Sequence, residues 1–137
     1  MNSSSVRTNP APVALRLPFS ATSVGVARQR LKDWMQQVGM TREQMEDARV
    51  VVSELVGNSV RHARPLSDGC ILITWRLEPR GILLSVTDGG GVTRPRRLHA
   101  PSSALAGRGM AIVDTLAAGW WSETSRSKAT LHAILEA

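Results

Sequence analysis

Apolar positions recur along the chain at two spacings, and each spacing predicts one kind of element. From Thr41 onward, Met45, Ala48, Val52, Leu55 and Ser59 return at steps of three and four, which places them on one face of an α-helix turned to a core. Thr41 and Gln44 have the spacing of a capping box, and Glu43, Glu46 and Asp47 suit the positive end of the helix dipole. Pro65 disfavours helical geometry at Arg64, so this helix is expected to end near His62 or Ala63. An earlier helix is expected from a Ser20 cap to about Val38, with Val24, Ala27, Leu31 and Trp34 on one stripe and Gly39 as its stop.

Shorter apolar runs predict strands. Val13 to Phe19 (VALRLPF) carries a proline near its end, which suits a sheet edge. Cys70 to Leu77 and Ile82 to Thr87 read as strands joined by the Glu78–Gly81 turn, and Trp120 to Thr124 and Thr130 to Leu135 as a closing pair. Between them lie a loop rich in Gly, Pro and Arg, from Asp88 to about Ala106, and a short helix from Arg108 to Ala117 with Ile112, Val113 and Leu116 inward. This order predicts an α+β two-layer sandwich: a mostly antiparallel sheet with helices on one face. Residues 1–12, rich in Ser, Asn and Pro, are expected to be a flexible tail, leaving 13–137 as one domain.

Composition narrows the partners. The chain of 137 residues is 42% apolar and 20% charged, the balance of a single globular domain. No apolar run reaches the ~18 residues of a membrane span, so no membrane role is expected. No signal-peptide pattern opens the chain, and Cys70 is its one cysteine; both suit a cytoplasmic protein. The net charge of +6 suits nucleic acid, nucleotide phosphates or an acidic protein surface. The arginines are scattered, with only Arg94, Arg96 and Arg97 tightly clustered, and no helix is rich in Arg, Asn and Gln. Direct nucleic-acid binding is therefore not expected.

Three local patterns carry candidate chemistry. Glu54 and Asn58, four residues apart, project from one face of the long helix, in a stripe with Asp47, Val51 and Arg61. A carboxylate and a carboxamide so placed can hold a hydrated magnesium ion and polarise an attacking oxygen, though the pair alone is more simply a solvated helix face. Asp88-Gly89-Gly90-Gly91 follows an apolar strand. An aspartate there can accept from an exocyclic amine while glycines let a flat base approach, and it reads equally as an ordinary Asp-Gly turn. Gly107-Arg108-Gly109 opens the predicted short helix, where free N–H groups attract phosphate and Arg108 adds a charge. It fails as a Rossmann fingerprint, because a loop precedes it and Ile112 stands where the third glycine belongs. His62, His99 and His132 lack metal-ligand spacing.

The order of these patterns resembles the N, G1 and G2 boxes of the GHKL, or Bergerat-fold, superfamily of gyrase, histidine kinases and mismatch-repair ATPases. SELVGNSVRHA (Ser53–Ala63) and GRGMAIVDTLAAGW (Gly107–Trp120) are similar to its small branch of anti-sigma-factor serine/threonine kinases, in their actinobacterial form. The resemblance implies a Bergerat ATP fold using ATP and Mg²⁺. It implies Glu54 as catalytic base, Asn58 as metal ligand, and Asp88 as acceptor of the adenine amine. Gly90, Gly107, Arg108 and Gly109 would shape the pocket and hold phosphates, and Thr130 would reach adenine. The segment from Gly91 to Ala106 would be the ATP lid. The implied partners are a sigma factor and a STAS-type anti-anti-sigma protein, with a possible homodimer. Two departures stand out: Val92 occupies the last glycine of the G1 pattern, and Ala104-Leu105-Ala106 is uncharged where many members carry charge. The second departure suits an alternative, a nucleotide-sensing binding protein without kinase activity.

Overall fold

The computed structural model describes residues 10–91 and 104–136, with the side chains of 104–109 outside that description. The element order is β1 (Val13–Pro18), α1 (Thr22–Val38), α2 (Arg42–His62), β2 (Cys70–Glu78), β3 (Gly81–Asp88), α3 (Ala104–Leu116), β4 (Gly119–Thr124) and β5 (Ala129–Glu136). The strands form one antiparallel sheet in the order β1-β2-β3-β5-β4, with β1 at an edge as its proline predicts. The α+β sandwich is the observed architecture. The expected tail falls almost wholly on residues 1–9, which lie outside the described residues.

Strand parity fixes what faces the helices. Residues directly opposite in an antiparallel ladder share a face. Leu15, Ile73 and Val86 lie in one such row, continued by Leu131; Trp75, Leu84 and Ala133 lie in the next. These face the buried stripes of α1 (Ala27, Leu31, Trp34) and α2 (Ala48, Val52, Leu55), forming a single core. Trp34 and Trp75 meet edge-on there, their ring centroids 6.3 Å apart. The long helix α2 starts as expected, with a complete Thr41–Gln44 capping box, and its last turn ends at His62. Gly39 terminates α1 with φ 87.

Three expectations need correction. Ser20 does not cap α1: the cap position is Ala21, without a side-chain bond, while the Ser20 hydroxyl accepts from the Thr22 amide at 3.2 Å. Helix α3 begins at Ala104 rather than Arg108. Ala104-Leu105-Ala106 are strong helix formers and extend it backwards, so Gly107, Arg108 and Gly109 follow its start instead of opening it. Ile112 is 38% exposed, whereas Val113 is fully buried. The inward stripe of α3 runs Met110, Val113 and Leu116, with Ala117 packed just past the helix end, and Ile112 falls one residue off it.

Candidate nucleotide site

The site is assembled where the C-terminal half of α2 meets the end of β3. Regular helix geometry through α2 puts Glu54 and Asn58 one turn apart on one side. Both are partly exposed, and no described residue engages either side chain. Asn58, Ser59 and His62 line a cavity of about 170 Å³ together with Asp88, Ser122 and Ala129. Glu54 lies one turn before that lining. The structure therefore brings Asn58 and Asp88 to one cavity, although 30 residues of chain separate them.

Asp88 is 6% exposed at the end of β3. Its Oδ2 accepts from the Ser59 hydroxyl at 2.5 Å and its Oδ1 from the Gly90 amide at 2.8 Å. Burial pushes this carboxyl above its ordinary range, and those two hydrogen bonds pull it part of the way back.

Backbone contacts lock the glycine turn to the end of α2. The Gly89 amide donates to the Arg64 carbonyl at 2.8 Å, and the Arg64 amide donates to the Gly90 carbonyl at 3.0 Å. Ala63 and Gly91 continue this as a β-bridge. Gly90 adopts φ +91, a left-handed conformation that favours glycine. At Gly89 the demand is steric, since a Cβ would stand 2.1 Å from the Pro65 carbonyl oxygen. Residues 92–103, which hold Val92 and most of the expected lid, lie outside the described residues, as does the Arg108 side chain.

Thr130 meets this site differently from Asp88. It borders the cavity, but β5 pairs Ala129 with Asp88 and Thr130 with Thr87. Alternation along a strand then puts the Thr130 side chain on the opposite face from Asp88, where its hydroxyl bonds Thr87 Oγ1 at 2.8 Å. Ala129 is the β5 residue directly opposite Asp88. The signal was present in the sequence: with Leu131, Ala133 and Leu135 inward, Thr130 must point outward. Ser59 was missed as a site residue because its helical spacing put it among core positions; a hydroxyl within an apolar stripe was the sign of a buried polar partner. Ser122, opposite Leu131 on the cavity side, was missed as well.

No group of three or more His, Cys, Asp or Glu among the described residues is placed to hold a metal ion. A single carboxamide oxygen is of the kind that can support a magnesium ion carried mainly by phosphate oxygens and water. Asn58 supplies such an oxygen at the cavity wall.

A second, larger cavity of about 580 Å³ lies between α1 and α2 and contains none of these residues. No described helix is long and apolar enough to cross a membrane.

The chain is similar to known proteins in sequence and in fold. The serine-protein kinase RsbW of Staphylococcus aureus is 32% identical over 80 residues, 57% of this chain and 50% of that kinase, with the same values in strains JH9 and Newman. The chain thus spans about half the length of the curated relatives it matches. The crystal structure of the RsbU and RsbW domains of Rv1364c from Mycobacterium tuberculosis aligns over 93% of this chain and 32% of that one, with a TM-score of 0.71 at 18% identity, a likeness of fold. The family model described as histidine kinase-like ATPase domain matches residues 17–132, and the chain belongs to that family.

Proposed function

We propose that this chain is an ATP-binding anti-sigma factor that sequesters a sigma factor and phosphorylates a serine or threonine of a STAS-type anti-anti-sigma protein. One observation carries the reading: Asn58 on a helix and the buried Asp88 on a strand converge on one cavity, with Glu54 a turn away and engaged by no described residue. The similarity to proteins named serine-protein kinases supports the choice of reaction.

In this reading the adenine amine donates to Asp88. The carboxamide oxygen of Asn58 ligates Mg²⁺, whose charge, when the ion is bound, offsets that of the phosphates. Gly90, Gly107 and Gly109 allow close approach to the nucleotide, and Arg108 contributes a charge-assisted contact. Glu54 takes the proton of the substrate hydroxyl as its oxygen bonds to the γ-phosphorus. The bond from that phosphorus to the bridging oxygen breaks, and ADP leaves. Transfer is thus a matter of positioning and electrostatics. With Mg²⁺ and γ-labelled ATP, Glu54→Ala is expected to lower transfer to a cognate STAS protein about 10²- to 10⁴-fold while ADP still binds. Undiminished transfer rules Glu54 out as the base. Nucleotide binding by the parent protein without transfer to any STAS protein would favour the second reading, a nucleotide-sensing regulator, which the uncharged Ala104-Leu105-Ala106 motivates.

The groove between α1 and α2 supports the protein-binding half of this reading. Arg28, Lys32, Arg42 and Arg49 line it, against a single acid, Glu46, which Arg49 engages at 3.1 Å. Buried Arg28 Nε has no hydrogen-bond partner among the described residues. Such a surface suits an acidic protein segment. Arg28→Glu is expected to weaken binding of a sigma or STAS partner about 10- to 100-fold in calorimetry and to leave ADP affinity unchanged. Unaltered affinity for both partners would exclude the groove as their docking surface.

A further inference from the structure

Ser59 sits on the core-facing stripe of α2 at 2% exposure, yet it carries a hydroxyl. A buried hydroxyl without a partner is costly. This one donates to Asp88 Oδ2 at 2.5 Å, so it spends its proton on the group that lines the cavity. No ion pair among the described residues includes Asp88. Its carboxylate is held by two donors, the Ser59 hydroxyl and the Gly90 amide, one on each oxygen. Each oxygen keeps a lone pair for a ligand. The facing position on β5 is Ala129, which brings no hydroxyl.

We propose that Ser59 is a specificity-determining positioning residue, whose hydroxyl keeps Asp88 an oriented anionic acceptor that takes a 6-aminopurine and refuses a 6-oxopurine. The inference rests on the nucleotide reading above and deepens it. A 6-amino group donates its proton to the free lone pair. A 6-oxo group instead aims a carbonyl oxygen at an anion, which is repulsive; a protonated carboxyl would donate to that oxygen and accept it. Base choice therefore follows the charge and orientation of Asp88. Burial pushes the Asp88 carboxyl up, and the Ser59 hydroxyl is the larger of the two hydrogen bonds that oppose this. His62 is the other titratable side chain lining the cavity among the described residues. It remains in every variant below, so differences between them report on Asp88.

The test is calorimetry of the full chain with Mg²⁺ and either ADP or inosine diphosphate, on the parent, Ser59→Ala and Ser59→Thr. The parent is expected to favour ADP. Ser59→Ala should weaken ADP about tenfold and inosine diphosphate much less, collapsing the ratio, while Ser59→Thr restores it. Carbon-13 titration of the Asp88 carboxyl in the empty protein gives a ligand-free readout, expected to move to higher pH in Ser59→Ala. An unchanged ADP-to-inosine ratio in Ser59→Ala overturns the role of Ser59 in base choice, and an unmoved carboxyl titration overturns its hold on the charge of Asp88. If the parent binds no adenine nucleotide, the nucleotide reading falls and takes this inference with it; if the parent binds ADP and the Ser59→Ala ratio holds, only the inference falls. Should Ser59→Thr fail to fold, the Ser59→Ala ratio and the carboxyl titration still decide.

Discussion

Asp88→Asn is expected to lower ADP affinity about 10- to 100-fold, the worth of one charge-assisted hydrogen bond, while leaving the empty protein at least as stable as its parent at neutral pH. The two effects have one cause. Asp88 is buried with two hydrogen bonds and, among the described residues, no cation beside it, and burial raises its carboxyl above the ordinary value of 3.8. Between that value and its folded-state pKa, the folded protein holds more proton than the unfolded chain. Stability therefore falls as pH rises through this window, and the full cost is present above it. An asparagine carries no charge to desolvate. Its oxygen can accept from Gly90 and its amide can donate to Ser59, so the local bonding survives. Denaturant titrations at several pH values should show the parent losing stability across the window and the variant losing less. A marked drop in the variant's midpoint at neutral pH would contradict this account, as would retention of full ADP affinity.

The second large effect is expected at Gly89. An alanine Cβ there would lie 2.1 Å from the Pro65 carbonyl oxygen and 3.1 Å from the Arg64 carbonyl oxygen, both backbone atoms that cannot rotate away. The turn must separate from the end of α2, breaking the paired bonds between Arg64 and the glycines. A cost of about 1–3 kcal/mol or more is expected, with nucleotide binding lost as Asp88 is displaced from Asn58. Gly90→Ala provides the comparison. Nothing lies within 4 Å of its Cβ, so only the left-handed conformation at φ +91 is penalised, at about 1–2 kcal/mol. Urea unfolding should thus rank Gly89→Ala as the more damaging. An equal or reversed order would mean that the contact with Pro65 is not what holds the turn.

How far these features were legible depended on the range of the interaction that sets them. The capping box at Thr41, the stop at Gly39 and the limit set by Pro65 are local, and α2 runs between them as expected. The common face of Glu54 and Asn58 follows from helix geometry alone. The start of α3 is not legible from its glycines, which suggest a boundary that the preceding alanines and leucine override. Thr130 borders the cavity, but its phase along β5 turns its hydroxyl to Thr87 rather than to Asp88.

By itself, then, the sequence determined the elements, the order of the glycine turns and the alignment of Glu54 with Asn58, because spacings of 3.6 and 2 residues and the caps that bound them act between near neighbours. Only the tertiary structure decided that Asp88 is buried against Ser59, that Ala129 rather than Thr130 faces it, and that Gly89 is pinned beneath Pro65. Each of those depends on which segments pair across the sheet and where the helix layer lies on it. That is settled by burying the whole core at once, not by any stretch of chain alone.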